Sequence, residues 1–370
     1  MSTEGTIQFR DVARGKALLA RLERAVASAG RTITVMHVCG SHEQAIARYG
    51  LRSRFPKALR VQMGPGCPVC VTDAPEIDAA VALATRGVRV LTYGDMLRVP
   101  GRAMSLDDAR ANGARVEVIY AATQAAEIAR ATDEPIVFFA TGFETTAVAT
   151  AAVLLADPPP NLFVLSAHKW VPAAMEIVAS TPGTAIEGYL AAGHAATITG
   201  YGVLEPFVAR HQKPVVVAGF EPLDILSGLV LLVEQISSGR ADVENAFPRC
   251  VTREGNRRAL AALACVFEGG DGEWRGIARV PGGELVLRAE HAAHDARVRF
   301  ASELAAVSSP TERPHAAECR CGEIMTGLST PLDCPLFGRQ CKPASPVGAC
   351  MVSTEGICRI WHEHGVGGDA

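Results

Sequence analysis

The chain has 370 residues, a formal net charge of -3 and 20% charged residues, an ordinary balance for a soluble globule of two or three compact units. Hydrophobic residues make up 48%, enough for substantial cores, but aromatic residues only 5%; with no basic block either, a nucleic-acid partner is not expected. The start, "MSTEGTIQFRDVARGKALLARLE", carries early acids and no apolar core, and the most apolar runs, "TTAVATAAVLLA" and "ILSGLVLLV", fall short of the roughly 18–20 residues of a membrane span, so a cytosolic protein without a membrane partner is expected.

Residues 10–29 have the spacing of an amphipathic helix that stops at Gly30, and "TITVMHV" follows as a buried strand. The strand breaks at "CGSHE", and "EQAIARYG" is helical. "TDAPEIDAAVALATRG" carries Thr72 or Asp73 as a helix cap, Pro75 near the first turn and Gly87 as the stop. "VRVLTYGD" is a strand, "SLDDARANG" a short helix with a capping-box start, and "RVEVIY" another strand. "PIVFFATGFETT" is a strand breaking at Gly142 into the helix "TTAVATAAVLLA". The strand "NLFVLSAHKW" follows the linker "DPPP", and "PVVVAGFEPLDIL" is the last strong strand signal. From about 240 the alternation weakens; "AFPRCVTREGNRRALAALACVF" reads as helix, and "VPGGELVLRAEHAAHDARVRF" as a strand followed by a charged helix.

Such alternation predicts α/β architecture with mostly parallel sheets. "HVCGSHE" is echoed by "FFATGFETT", and "LTYGDML" by "VVAGFEPLDIL", which points to a duplicated α/β unit. The expected divisions are 1–125, holding Cys39 and the Cys67/Cys70 motif; 126–240, a second unit; and 241–370, a helical part followed by a cysteine-rich segment at about 308–360. All four polar breaks fall at strand carboxyl ends, where open α/β sheets bind ligands, so two facing units would gather them around one cleft.

Cysteines are the main chemical signal. Eleven occur, at 39, 67, 70, 250 and 265, and then at 319, 321, 334, 341, 350 and 358. In a cytosolic chain such clusters bind metal or do redox work more often than they form structural disulfides. The six-cysteine tail lacks the paired C-x2-4-C knuckles of zinc sites, and its wide spacing with nearby prolines suits an iron–sulfur cluster better; zinc and metal-free redox thiols stay open. Cys67 and Cys70 form a C-x-x-C just before a capped helix, whose amides favour a thiolate, the alternative being two buried cysteines in a turn. Cys39, with His37, His42 and Glu43 nearby, reads as a nucleophile with its base, a metal anchor, or a small buried hydrophobe. His168, Lys169 and His194 stand alone and read as structural. Phosphate-loop, dinucleotide and zincin motifs are missing. A stand-alone thiol–disulfide oxidoreductase and a zinc-stapled binding module are the competing classes.

Taken in order, "HVCGSHE", "GPGCPVC", "YGDMLRVPG", "TGFETTA", "SAHKWVPAAM", "VAGFEPLDIL" and the tail "CRCGEIMTGL…DCPLFGRQC…PVGACMVSTEGIC" resemble the HypD family of nickel–iron hydrogenase maturation proteins. The resemblance covers nearly the whole chain. It implies two α/β domains and a small cysteine-rich domain holding a 4Fe–4S cluster. It also implies a scaffold that, with the small partner HypC, holds an iron atom carrying cyanide and carbon monoxide; HypE delivers cyanide as a thiocyanate, and the product passes to the hydrogenase large subunit. The family pattern C-x14-C-x6-C-x16-C falls on Cys319, Cys334, Cys341 and Cys358 as cluster ligands, and Cys39 matches the iron-holding position. Cys321 and Cys350 are then left to relay redox equivalents to Cys67 and Cys70, with an exchange of Cys321 for Cys319 or Cys350 for Cys358 as the competing ligand set. Cys39 and the Cys67/Cys70 pair are expected to share one cleft.

Overall fold

A computed structural model describes residues 11–305 and 316–365. The expected N-terminal helix forms as Val12–Ala29, stopped by Gly30 in the left-handed region; residue 10 lies outside the described residues, as does 308–315 of the cysteine-rich segment. The strands in chain order are β1 (Ile33–His37), β2 (Leu59–Met63), β3 (Arg89–Tyr93), β4 (Val116–Ile119), β5 (Ile136–Gly142), β6 (Leu162–Lys169), β7 (Gly188–Ala192), β8 (Val215–Ala218), β9 (Val243–Asn245), β10 (Phe267–Trp274) and β11 (Ala278–Leu287).

They build two sheets. The first runs β2-β1-β7-β8-β9 and is parallel throughout. The second runs β4-β3-β5-β6 in parallel and continues antiparallel through β11 and β10. Every residue of β1 and β5 is buried, because helices cover both faces of a parallel sheet. Counted within its own sheet, the five parallel strands of the first wind in the order 2-1-3-4-5 and the four of the second in the order 2-1-3-4. That shared winding fits the motif echo in the sequence.

The sheets cut across the expected divisions at 125 and 240. β1 and β2 are completed by β7, β8 and β9, while β3 to β6 are inserted between them. Parallel neighbours need a crossover, and a crossover can hold a whole second unit, so alternation alone does not tell which sheet a strand joins. Four strands leave no clear sequence signal: β2 is an edge strand with Arg60 exposed, β7 is made largely of small residues, β9 has only three residues, and β10 is rich in Gly and acidic residues. Only Arg257–Val266 of the region expected as helix around Cys250 and Cys265 is helical; Cys250 sits in a turn, and both cysteines are exposed.

In a 2-1-3 order the chain leaves the first strand in opposite directions, opening a crevice at its carboxyl end. The first sheet has this point between β1 and β7, the second between β3 and β5. Tail residues Ser353 to Glu355 reach both. Ser353 donates to Asp95 just after β3 (3.0 Å), while Gln44 donates to the Thr354 carbonyl (2.6 Å) and Ser41 to Glu355 (3.2 Å) on the helix that follows β1. The largest apolar cluster accordingly joins Met36 and Val38, Phe143, Trp274 and the tail residues Ile324 and Trp361.

One close approach fixes this junction. Gly40 N–H donates to Gly66 O at 3.1 Å, and a Cβ on Gly66 would collide with Cys39 N and the Val38 carbonyl. The "GPGC" turn therefore lies backbone to backbone on the end of β1. Among the described residues no helix is long and apolar enough to cross a membrane.

Gly66→Ala should lower unfolding stability in urea by about 1–3 kcal/mol, the usual range for overpacking. Gly15→Ala, in the N-terminal helix where a Cβ meets only Leu223 at 3.7 Å, should raise it by about 0.5–1 kcal/mol. Equal effects at the two glycines would show that the Gly66 approach is not tight.

Candidate functional site

Cys39 follows β1 and caps the helix Gly40–Arg48. It is 1% exposed. Burial pushes its thiol up to about 12, although backbone amides of His42 and Ser41 pull the other way. A thiol held so firmly protonated is a poor free nucleophile, but a soft metal ion displaces that proton on binding. His194, just after β7, brings Nδ1 to 3.9 Å from the Cys39 sulfur. Burial lowers the His194 pKa, which favours the neutral ring. The sequence marks His194 as structural; its signal is its place after the strand next to β1, which becomes visible once the register is known.

The neighbours of Cys39 are held by buried charges. Burial would raise Glu43, but Arg52 and the hydrogen bond from His37 hold its carboxylate down to about 2. Arg52 Nη2 lies 2.7 and 2.8 Å from its two oxygens, Trp361 Nε1 donates at 2.7 Å, and His37 Nε2 lies at 2.8 Å. The other His37 nitrogen faces the Cys39 carbonyl at 3.1 Å. His42, expected at the site, is wholly buried, and burial lowers it to about 3. Its Nε2 donates to the Ala218 and Gly219 carbonyls at 3.3 and 3.1 Å, tying the helix after β1 to the end of β8. Its Nδ1 has no hydrogen-bond partner among the described residues. His168 is bound to Thr150 (2.9 Å) and Lys169 to Glu284 and the Glu273 carbonyl, both away from the cysteines.

Cys67 and Cys70 form a disulfide in the short helix Pro68–Val71, capped by Cys67. Gly66 brings them beside Cys39. All three are only 1% exposed, so they lie inside the filled junction of the sheets and not on an open cleft. The pair's helix packs in turn against the tail helix Ala349–Val352, which carries Cys350.

Five of the six tail cysteines meet around Gly348. The Cys319 and Cys321 sulfurs, 3.2 Å apart, lie 2.7 and 2.6 Å from where a Gly348 Cβ would stand. Gly348 and Val347 amides are directed at the Cys341 sulfur, the latter at 3.4 Å. Cys350 is hydrogen-bonded with Cys321 and Cys358, contacts that pull it down to about 5 while Cys358 is pushed well up. Hydrogen bonding to Cys321 likewise pushes Cys319 up. Cys334 is buried in the same apolar cluster. This donor set fits an iron–sulfur cluster: soft thiols in a dry pocket, with amides aimed at sulfur and a sulfur-filled hollow in place of a side chain. Among the described residues no three Cys, His, Asp or Glu side chains are grouped in a metal-holding geometry. Cys321 and Cys350 are interleaved with Cys319 and Cys358, not set apart from them.

Two further groups appear only in three dimensions. Glu355 reaches Ser41 beside Cys39, and its carboxyl is raised by burial. Glu144, just after β5, accepts from Val171 N–H at 2.9 Å and is raised to about 7 by burial, its second oxygen without a partner among the described residues.

Fold and site together define a double α/β protein with a buried thiol centre at the junction of its sheets. The family model described as "HypD: Hydrogenase formation hypA family" matches residues 14–365, and the chain belongs to the HypD family of hydrogenase formation proteins. It is 42% identical over 372 residues to the hydrogenase expression/formation protein HupD of Azotobacter chroococcum, covering 97% of this chain and 96% of the relative. The hydrogenase maturation factors HypD of Azotobacter vinelandii (42%; 97% and 96% covered) and Rhodobacter capsulatus (37%; 97% of each) are similar over the same span.

Glu43 has its pKa depressed in the fold, so its stabilising effect is full above the ordinary carboxylate value of 4.5 and is lost as pH falls toward about 2. Urea unfolding between pH 5 and 2 should lose about 3 kcal/mol from this group. Glu43→Gln should be less stable at pH 7 and lack that component of the acid slope; an unchanged slope would contradict the assignment.

Proposed function

We propose that the chain is the scaffold on which the Fe(CN)2CO unit of a nickel–iron hydrogenase is assembled, with Cys39 holding the iron as cargo together with a cysteine of the small partner HypC. The observation that carries this reading is the unbroken run of sulfur sites: Cys39 under Gly66, the Cys67–Cys70 pair beyond it, and the helix of Cys350 packed on that pair. Cys39 suits a soft, low-spin iron, and the neutral His194 ring lies 3.9 Å from its sulfur.

Cyanide enters as a thiocyanate on the terminal cysteine of HypE. Its release is a two-electron reduction: the Cys67 and Cys70 thiols become a disulfide, the S–CN bond breaks, the partner keeps its thiol, and cyanide leaves with the second proton unless iron binds it. The disulfide form of the pair is the product side of that step. Cys350, on the helix packed against the pair, and Cys321, hydrogen-bonded to Cys350, are assigned to relay thiol redox equivalents back to it. A 4Fe–4S cluster on Cys319, Cys334, Cys341 and Cys358 supplies single electrons when bound. The finished unit leaves with HypC for the hydrogenase large subunit.

Infrared spectra of the chain co-purified anaerobically with HypC should carry cyanide and carbonyl bands, and Cys39→Ala should abolish them; bands that persist make Cys39 the wrong anchor. Metal analysis of the same sample should give about four irons in the tail site. One zinc and no iron would favour the zinc-stapled module, and robust insulin reduction without partners would favour a stand-alone oxidoreductase.

A further inference from the structure

Arg275 lies in the turn between β10 and β11, and that turn is wedged between the dithiol helix and the tail. On one side its N–H donates to the Val71 carbonyl at 3.0 Å, its Nε to Thr72 O at 2.8 Å and its Nη2 to Pro100 O at 2.6 Å. Thr72 and Trp274 are also paired as an isolated antiparallel bridge. On the other side the next residue, Gly276, meets Gly322 backbone to backbone. A Cβ on Gly276 would stand 3.0 Å from the Gly322 Cα, and one on Gly322 would collide with the Gly276 carbonyl. Gly322 directly follows Cys321.

Two consequences follow from these contacts. The turn holds the segment after Cys70 and the segment after Cys321 in one fixed relation. And the side-chain hydrogen bonds go to carbonyls, which orient the guanidinium, while the Asp73 carboxylate is its foremost charged neighbour. The sulfurs of Cys319, Cys321 and Cys350 lie within its electrostatic reach. A guanidinium keeps its charge at any physiological pH, and a fixed cation in a partly dry site favours added negative charge on its neighbours.

We propose that Arg275 is a positioning residue that locks the Cys67–Cys70 helix to the tail and sets a permanent positive charge between them, favouring the electron-rich state of the sulfur centres on both sides. For the tail this rests on the reading of Cys319 to Cys358 as an iron–sulfur site; for the Cys67–Cys70 pair it does not. The sequence gives little warning, since "WRGIA" looks like any hairpin turn.

The test uses the full-length chain, reconstituted anaerobically with iron and sulfide, as wild type, Arg275→Gln and Arg275→Lys, with iron content and circular dichroism measured for each. In a redox titration of cluster absorbance, Arg275→Gln should lower the reduction equilibrium constant about tenfold, 59 mV for one electron, and Arg275→Lys should restore most of it. An unchanged potential in a folded, iron-replete Gln variant overturns the proposal. So do equal losses in both variants, which a purely structural role would give. If glutamine prevents folding, lysine decides alone: a retained potential supports the charge and a tenfold loss overturns it. If the wild type takes up no iron, the cluster reading fails separately. The metal-free chains are then equilibrated with dithiothreitol, which exchanges thiol for disulfide with electrons conserved. The dithiol-to-disulfide ratio of Cys67–Cys70 should fall about threefold in Arg275→Gln and recover in Arg275→Lys; an identical ratio in all three overturns the role of Arg275.

Discussion

The backbone of Gly66 rests directly on the peptide that joins Val38 to Cys39, and the other features of the site are arranged around that approach. No residue with a side chain fits there without moving one strand end or the other. Because it is a backbone-to-backbone contact, it sets the spacing between Cys39 and the Cys67–Cys70 helix more rigidly than side-chain packing can. It also lies where the chain passes from the first sheet into the inserted second one. A single turn thus ends β2, positions the dithiol and closes the site from solvent.

Closing the site has an electrostatic cost, met by pairing. Glu43 is fully buried as an anion, and an isolated buried carboxylate is strongly disfavoured. Arg52, His37 and Trp361 between them address both of its oxygens. Since Trp361 belongs to the tail, the same carboxylate ties the segment from His37 to Arg52 to the distant tail. Removing one member leaves a buried charge without its full set of partners, which costs more than the pair's net contribution to the intact fold.

The tail is a different kind of structure. Its helices are short, such as Cys321–Met325 and Ala349–Val352. Order comes from outside: Ser353 and Glu355 are anchored at the two sheet crevices, and the β10–β11 turn presses on Gly322. Inside, cysteine sulfurs fill the hollow at Gly348. A segment held by its surroundings and by sulfur contacts can reorganise its thiols around a bound centre without unfolding either sheet.

Much of this was legible in the sequence. The strands β1, β3, β4, β5, β6 and β8 are continuous β-branched or apolar runs, and the breaks at Cys39, Gly94, Gly142 and Gly219 mark their carboxyl ends because a buried strand must stop where polar residues begin. The cysteine set and its grouping were likewise visible, since residue type and spacing carry that chemistry directly. What the sequence could not supply was partnership across space. Strand period is the same whichever sheet a strand joins, so the insertion of β3 to β6 between β2 and β7 was hidden. His194 beside Cys39, Glu355 beside Ser41 and Arg275 between the dithiol and the tail are set by contacts over long separations that leave no local pattern. Sequence by itself determined the α/β class and the chemical inventory, because both depend on local periodicity and residue identity; only the tertiary structure decided which groups face one another, because that depends on how two interleaved sheets dock.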